Sequence, residues 1–319
     1  MIVCMADLSE HENRDAMHRY LRVLRIKQEE YYTTYFPRRD LFTGEPIPFV
    51  SCDQYLHTDF VSKHNIKKLI KQKPDQAKEW AIDWLSKRKI EKGLVYPPTQ
   101  TELRSLPCPT VRYFNNVGGY NKICAELGYK IRFNDVVKFT PLPAGVKIIQ
   151  DTREQKPLDF PFDLQKKALY VGDYNITGSR TYIERKSLQD FVGSFTTKRR
   201  SPLNNSKVGV ERIKAELDRA RGAGYYIVMV VEESINNALS FNFMPQMRFT
   251  KVVPDHVFKN LRDLLTEYTD CFQAVFVKNR YEAVQTIIKI FEAGPDIKNI
   301  DVQYYYEEGM LCGLNQKTL

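Results

Sequence analysis

From residue 13 to residue 30, apolar side chains recur at helical spacing (Met17, Tyr20, Leu21, Leu24 and Ile26) and predict an amphipathic helix. The period then breaks. Residues 31–60 are aromatic-rich and punctuated by Pro37, Gly44, Pro46 and Pro48. Segments 62–73 and 75–91 read as two helices separated at Pro74. Pro97, Pro98 and Thr99 open a short helix that runs to about Leu106, and Gly118–Gly119 lead into another that ends near Gly128. A new rhythm follows the punctuation from Phe139 to Gly145. Val146–Gln150 is a β-branched strand. Ala168–Ile176 and Thr181–Lys186 read as a hairpin turning at Thr177, Gly178 and Ser179. A helix starts at Ser187 and reaches Ser194, and Val208–Arg221 predicts a charged amphipathic helix. Tyr225–Val231 is apolar on both faces, the signature of a buried strand. Pro254–Tyr268 is a helix with proline in its first turn, Phe272–Val277 a strand and Tyr281–Ala293 a helix. After Gly294 the pattern shows no element beyond a Tyr-rich stretch.

Strands alternating with helices predict an α/β domain whose central mixed sheet is covered on both faces, preceded by a mainly helical region. The expected organisation is 1–140 helical, 141–295 α/β and 296–319 a tail. Hydrophobic residues make up 43% of the chain, with 19 Tyr and 18 Phe, enough for a substantial core. Lys and Arg number 48 against 39 Asp and Glu, a net charge of +9. That excess favours an anionic partner, nucleic acid first and a membrane surface second. The N-terminus lacks a basic start followed by an apolar run, and Tyr225–Val231 is too short to span a bilayer. A soluble, intracellular protein without membrane attachment is expected. The cysteines at 4, 52, 108, 124, 271 and 312 form no CxxC pair and read as reduced thiols. Cys52, His57 and His64 match no common zinc spacing.

The candidate chemistry lies on the early strands of the α/β region. Asp151, Arg153 and Glu154 end the first strand, Asp173 lies on the second, Glu184, Arg185 and Lys186 on the third, and Asp190 on the helix that follows. Side chains alternate along a strand, so Glu184 and Lys186 share one face and Arg185 takes the other. A hairpin brings Asp173 toward Glu184, and Asp151 can approach from its strand end. Clustered carboxylates bind a hard divalent cation such as Mg²⁺ or Mn²⁺ through oxygen, and an adjacent lysine can orient a water or neutralise developing charge. Phosphodiester hydrolysis needs that combination. Asp173 and Glu184 are the expected metal ligands, Asp151 a further or water-mediated one, and Lys186 the water-orienting group. Arg153, Glu154, Arg185 and Asp190 form the expected periphery.

The series DTREQKPL, VGDY and YIERKSLQDFVGS, continuing through Gly193–Ser194 to ERIKAELDRA and YYIVMVVEE, resembles the nuclease domain of the XPF-type structure-specific endonucleases. The family signature, GD, a spacer, ERK, three residues and D, reads here as Gly172–Asp173, Glu184–Arg185–Lys186 and Asp190. The resemblance covers roughly residues 145–295. It implies a restriction-endonuclease-like fold, dependence on Mg²⁺ or Mn²⁺, DNA as substrate and a homodimer or heterodimer formed through the nuclease domain. Two features depart from the family. About 25 residues follow Gly294, too few for the tandem helix-hairpin-helix modules that many members carry. The segment TTKRRSPLNNSKVG is long and basic, and Lys198, Arg199 and Arg200, with Arg212 on the helix beyond, are expected to grip the DNA backbone.

The N-terminal half is less specific. Residues 63–92 hold ten basic and four acidic residues, with Trp80 and Trp84 at a helix-packing interval. Residues 97–128 resemble a helical repeat that accompanies some phage homing endonucleases. This half is therefore expected to bind DNA or target the nuclease. Two other readings stand beside the structure-specific endonuclease acting in repair, recombination or phage DNA processing. One is a site-specific, homing or restriction-like cutter. The other is a non-catalytic DNA-binding subunit, against which the complete GD and ERK residues speak.

Overall fold

The computed structural model describes residues 66, 70–133, 137–196, 209–240 and 254–311, with the backbone of 38–39 and 46–47. The chain divides into two compact units, 1–80 and 81–319. The boundary expected at residue 140 lies inside the second unit.

In the first unit, β1 (Arg38–Arg39) pairs antiparallel with β2 (Pro46–Ile47). Helix α1 spans Pro74–Lys92, beginning at the proline that the sequence marks as a break. Three short helices follow: α2 (Gln100–Ser105), α3 (Val111–Val117) and α4 (Tyr120–Glu126). Thr99 caps α2 through a capping box with Glu102, so the sequence signal there is an ordinary helix start. Helix α3 lies between Leu106 and Gly118, where the sequence pattern assigns no element. Trp80 is buried and Trp84 half-buried, its ring 5.7 Å from the Arg88 guanidinium.

A six-stranded sheet organises the second unit, to which α2, α3 and α4 also belong, in the order β4-β3-β5-β6-β7-β8. Its strands are β3 (Ile148–Gln150), β4 (Leu164–Lys166), β5 (Tyr174–Ile176), β6 (Thr181–Lys186), β7 (Tyr226–Val231) and β8 (Phe272–Phe276). β5 runs antiparallel to β3 and β6, whereas β6, β7 and β8 are mutually parallel. The expected hairpin is thus present. β4 escapes a pattern reading because its three residues are all exposed and only backbone pairing to β3 makes it a strand.

The intervening helices are α5 (Leu188–Phe195), α6 (Val210–Ala223), α7 (Ile235–Ser240), α8 (Pro254–Glu267) and α9 (Arg280–Ala293). Strand β7 shows why both its faces are apolar. Ile227, Met229 and Val231 pack into one core with residues of α5, α6 and α8, and Tyr226, Val228 and Val230 into the opposite core with residues of α9. The stretch beyond Gly294 corrects the sequence reading: it forms a 3-10 turn (Gly294–Asn299) and α10 (Val302–Glu307), capped by Asp301. Val302, Tyr305 and Tyr306 are buried in the α9-side core.

Helix α2 docks on this C-terminal segment. The Gln100 backbone N–H donates to Asp301 Oδ2 at 2.6 Å, and Thr101 Oγ1 donates to the Ala274 carbonyl at 2.9 Å. Among the described residues no helix is long and apolar enough to cross a membrane. Cys108, Cys124 and Cys271 are buried free thiols, whereas Cys52, His57 and His64 lie outside the described residues.

Candidate active site

The hairpin of β5 and β6 sets the geometry. Gly172 precedes β5 with a φ of +69°, and a Cβ there would lie 2.8 Å from the Ile183 carbonyl oxygen. Only glycine permits that approach without displacement. It lets the Asp173 N–H donate to the Ile183 carbonyl at 2.7 Å. Asp173 Oδ2 in turn accepts from the Arg185 backbone N–H at 2.7 Å. The aspartate is therefore locked onto the strand that carries Glu184 and Lys186.

On that strand the alternation holds. Lys186 Nζ donates to Glu184 Oε1, and both side chains are nearly buried. Arg185 points to the other face, where its Nε and Nη2 grip the Glu232 carboxylate at 2.6 and 2.8 Å and its Nη1 lies 3.5 Å from Glu154. Arg280 of α9 reaches the same Glu232 at 3.5 Å. Arg185 is thus held in a buried ionic network on the far side of β6. This network fixes the strand end; two forked hydrogen bonds to one carboxylate leave little rotational freedom.

The electrostatics of the near face follow from burial and charge. Burial first, and the neighbouring Glu184 second, push the Asp173 carboxyl up to about 8. Glu184 is likewise raised by burial; Lys186 opposes that shift and Glu216 adds to it. Burial alone would lower Lys186, but Glu184 and Asp173 together outweigh it and hold the ammonium above its usual range. Two carboxyl groups thus share one lysine, and the crowding that keeps Asp173 from ionising is a condition that a cation would relieve.

Asp151 takes another part than expected. Its carboxylate, almost fully buried, accepts from Arg153 N at 2.8 Å, Arg153 Nε at 2.6 Å, Arg153 Nη2 at 3.1 Å and Leu169 N at 2.7 Å. These donors outweigh the effect of burial and lower its pKa. Four hydrogen bonds occupy the oxygens that a directly bound metal would need. Asp151 instead ties the Arg153 turn to the loop before Gly172, and its own N–H donates to the Asp173 carbonyl at 2.8 Å. Among the described residues, no three His, Cys, Asp or Glu side chains gather as a metal cluster. The two carboxyl groups that the hairpin brings together on this face are those of Asp173 and Glu184.

The remaining expected residues disperse. Asp190 accepts from the Ser187 hydroxyl at 2.6 Å at the exposed start of α5, where Ser187 is the helix cap. Arg153 is exposed, and Glu154 accepts from Lys156 N at 2.6 Å. Arg212 is exposed on α6 and acts electrostatically on Glu184. Lys198, Arg199 and Arg200 lie outside the described residues.

Glu216 was not anticipated. It sits one helical turn beyond Arg212 on α6, and its Oε1 accepts from the Gly172 N–H at 2.9 Å. The signal for it was present as the i, i+4 pair in ERIKAEL, on the helix after the motif strand. Glu232, at the end of β7, was missed as the partner of Arg185.

A mixed sheet flanked by helices on both faces, with Asp and Glu-x-Lys on adjacent antiparallel strands, is the restriction-endonuclease-like nuclease fold. Residues 150–290 match the family model of the ERCC4 domain. These residues carry the domain type of the XPF-type nucleases that the motif series resembles. No curated protein matches the chain.

Proposed function

We propose that the protein is a divalent-metal-dependent DNA endonuclease acting at Asp173, Glu184 and Lys186. The observation that carries this reading is the pairing of two buried carboxylates, Asp173 and Glu184, with Lys186 beside Glu184 on one strand face. Oxygen donors in a buried pair that shares one lysine suit Mg²⁺ or Mn²⁺, which bind through one or two carboxylates and complete their shell with water and phosphate oxygens. When bound, such an ion supplies positive charge to the phosphate and makes a water more acidic.

The chain's own residues do the rest. Asp173 presents its carboxylate in a direction fixed by the Arg185 N–H. Burial and the neighbouring Glu184 raise its pKa, and a cation held there would favour the ionised carboxylate. Glu184 positions Lys186, and the ammonium stands where it can orient a water or meet charge on the phosphate. Asp151 and Glu216 are positioning residues: each holds the loop that carries Gly172 and Asp173 without touching substrate. Arg212, with Lys198, Arg199 and Arg200, supplies phosphate-facing charge. The ordered placement of Arg185 and Asp190 in structural roles agrees with a strand end and helix start that must not move during chemistry.

DNA is the proposed substrate, and branched or flapped DNA the proposed form, in repair, recombination or phage DNA processing. The proposed assembly is a dimer through the nuclease domain. A panel of labelled linear duplex, single-stranded, flap and four-way-junction DNA in Mg²⁺ tests the form. We expect cleavage of flap or junction DNA at least about tenfold faster than of linear duplex, a difference of about 1.4 kcal/mol in the barrier. Equal rates on every form would remove structure specificity. Cutting at one sequence regardless of form would favour a site-specific enzyme guided by the N-terminal half.

A further inference from the structure

Beside the catalytic face lies a surface concavity of about 740 Å³, lined by Tyr170, Asp218, Arg219, Gly222, Ala223 and Tyr225. Nothing in the metal-site reading uses it. Its walls are aromatic: Tyr225 packs against Tyr182 with ring centres 4.7 Å apart and against Tyr170 edge-on at 6.4 Å. Tyr170 is 58% exposed, a large apolar ring left in solvent three residues before Asp173.

Two independent periodicities align this concavity with the active site. On β6, Tyr182 lies on the face that carries Glu184 and Lys186, because side chains two apart share a face. On α6, Arg212, Glu216, Arg219 and Ala223 recur at intervals of three and four residues and form one stripe. Arg212 acts on Glu184, Glu216 holds Gly172, and Arg219 and Ala223 line the concavity. Strand and stripe run side by side from the carboxylates to the tyrosines. At about 3.3 Å per residue, Tyr182 lies roughly 7 Å from Glu184 and 13 Å from Lys186 along the strand. That is about two to four steps of a stacked nucleic-acid strand at 3.4 Å each.

We propose that this concavity receives an unpaired base of the DNA strand two to four nucleotides from the cut, stacked on Tyr170 and Tyr225. The inference rests on the nuclease reading and adds the feature of the substrate that the site would recognise. Every base offers a flat π-face, so stacking on tyrosine tolerates any sequence and needs only that the base be unpaired. Arg219, exposed at the rim, and Arg180, whose Nη1 would lie 3.2 Å from a Cβ at position 224, offer cations for the adjoining phosphates. The acidic lining residue, Asp218, accepts the Tyr268 hydroxyl at 2.8 Å, so its carboxylate is held by the protein. A base-paired duplex keeps its bases stacked in the helix and presents none to the tyrosines.

The test is binding of a short oligothymidylate, and of a duplex of equal length, to the full chain in EDTA. Wild type, Tyr170→Ala and Tyr170→Phe are compared. Alanine is expected to weaken oligothymidylate binding on the order of tenfold and duplex binding by less than about twofold, with phenylalanine close to wild type. No loss with alanine, an equal loss on both DNAs, or a loss with phenylalanine as large as with alanine would overturn the proposal. Photo-crosslinking of wild type to oligothymidylate carrying 5-iodouracil is independent of any folding defect in the variants. A crosslink at Tyr170 or Tyr225 supports the site, and crosslinks only elsewhere overturn it. A chain that shows the tyrosine effect but cuts no DNA would sink the nuclease reading and leave this site. A chain that cuts DNA without the effect would do the reverse.

Discussion

Lys186→Met is expected to lower the rate of DNA cleavage by about 10²–10³-fold, the usual loss on removing one preorganised electrostatic group. Methionine keeps the apolar stem and removes only the charge. In the structure the Lys186 ammonium is buried against Glu184, and its raised pKa keeps it protonated well above neutral pH. Without it, Glu184 and Asp173 face each other with no cation, and both pKa values should rise further. The fold need not suffer in proportion, because a neutral carboxylic acid buried beside methionine costs far less than an unpaired carboxylate. Cleavage rate and melting temperature measured on the same preparation separate the effects. A rate within tenfold of wild type would show that the lysine has no part in the chemistry. Lys186→Arg is not expected to rescue, since a planar fork cannot take the place of a compact ammonium.

Gly172→Ala is expected to cost about 3 kcal/mol of stability and most of the activity. Two penalties combine. The φ of +69° is strained for any L side chain, and the new methyl group would meet the Ile183 backbone oxygen at 2.8 Å, an atom that cannot rotate away. Relief requires moving Asp173 off β6, which breaks its 2.7 Å bond to the Ile183 carbonyl and withdraws the Gly172 N–H from Glu216. Gly178 provides the control. It has a φ of +83° in the hairpin turn, but a Cβ there meets nothing within 4 Å. Gly178→Ala should cost only about 1 kcal/mol, the conformational part, and leave cleavage near normal. Urea denaturation of the two variants compares them directly, and equal losses would contradict the close-approach argument.

How much of this was legible in the sequence follows from how local each feature is. The shared face of Glu184 and Lys186 depends only on the period of a strand, and TYIERK showed it. The hairpin was marked by Thr177, Gly178 and Ser179, and the buried β7 by an apolar run with no polar alternation. Features that arrive through tertiary packing were not legible. Glu216 reaches Gly172 across 44 residues of sequence. Glu232 meets Arg185 because β7 lies parallel to β6. The saturation of Asp151 depends on a turn that folds Arg153 back on it and on a loop that brings the Leu169 N–H within 2.7 Å. The pattern of carboxylates alone does not reveal that saturation. The boundary expected from Phe139 to Gly145 rests on local punctuation alone, whereas α2 docks on β8 through Thr101 and Ala274, far apart in sequence. Helix α10 was hidden because three consecutive tyrosines carry no strong helical preference, and burial decides their state.

The most direct measurement is cleavage of flap DNA by the full chain in Mg²⁺ and in EDTA, beside Asp173→Asn. Asparagine keeps the shape of the side chain and its acceptor for the Arg185 N–H but removes the charge that a cation needs. The account expects cutting in Mg²⁺, none in EDTA, restoration when excess Mg²⁺ or Mn²⁺ is returned, and no detectable cutting by Asp173→Asn under any of these conditions. Cleavage that persists in EDTA, or in Asp173→Asn at a rate near wild type, would contradict it.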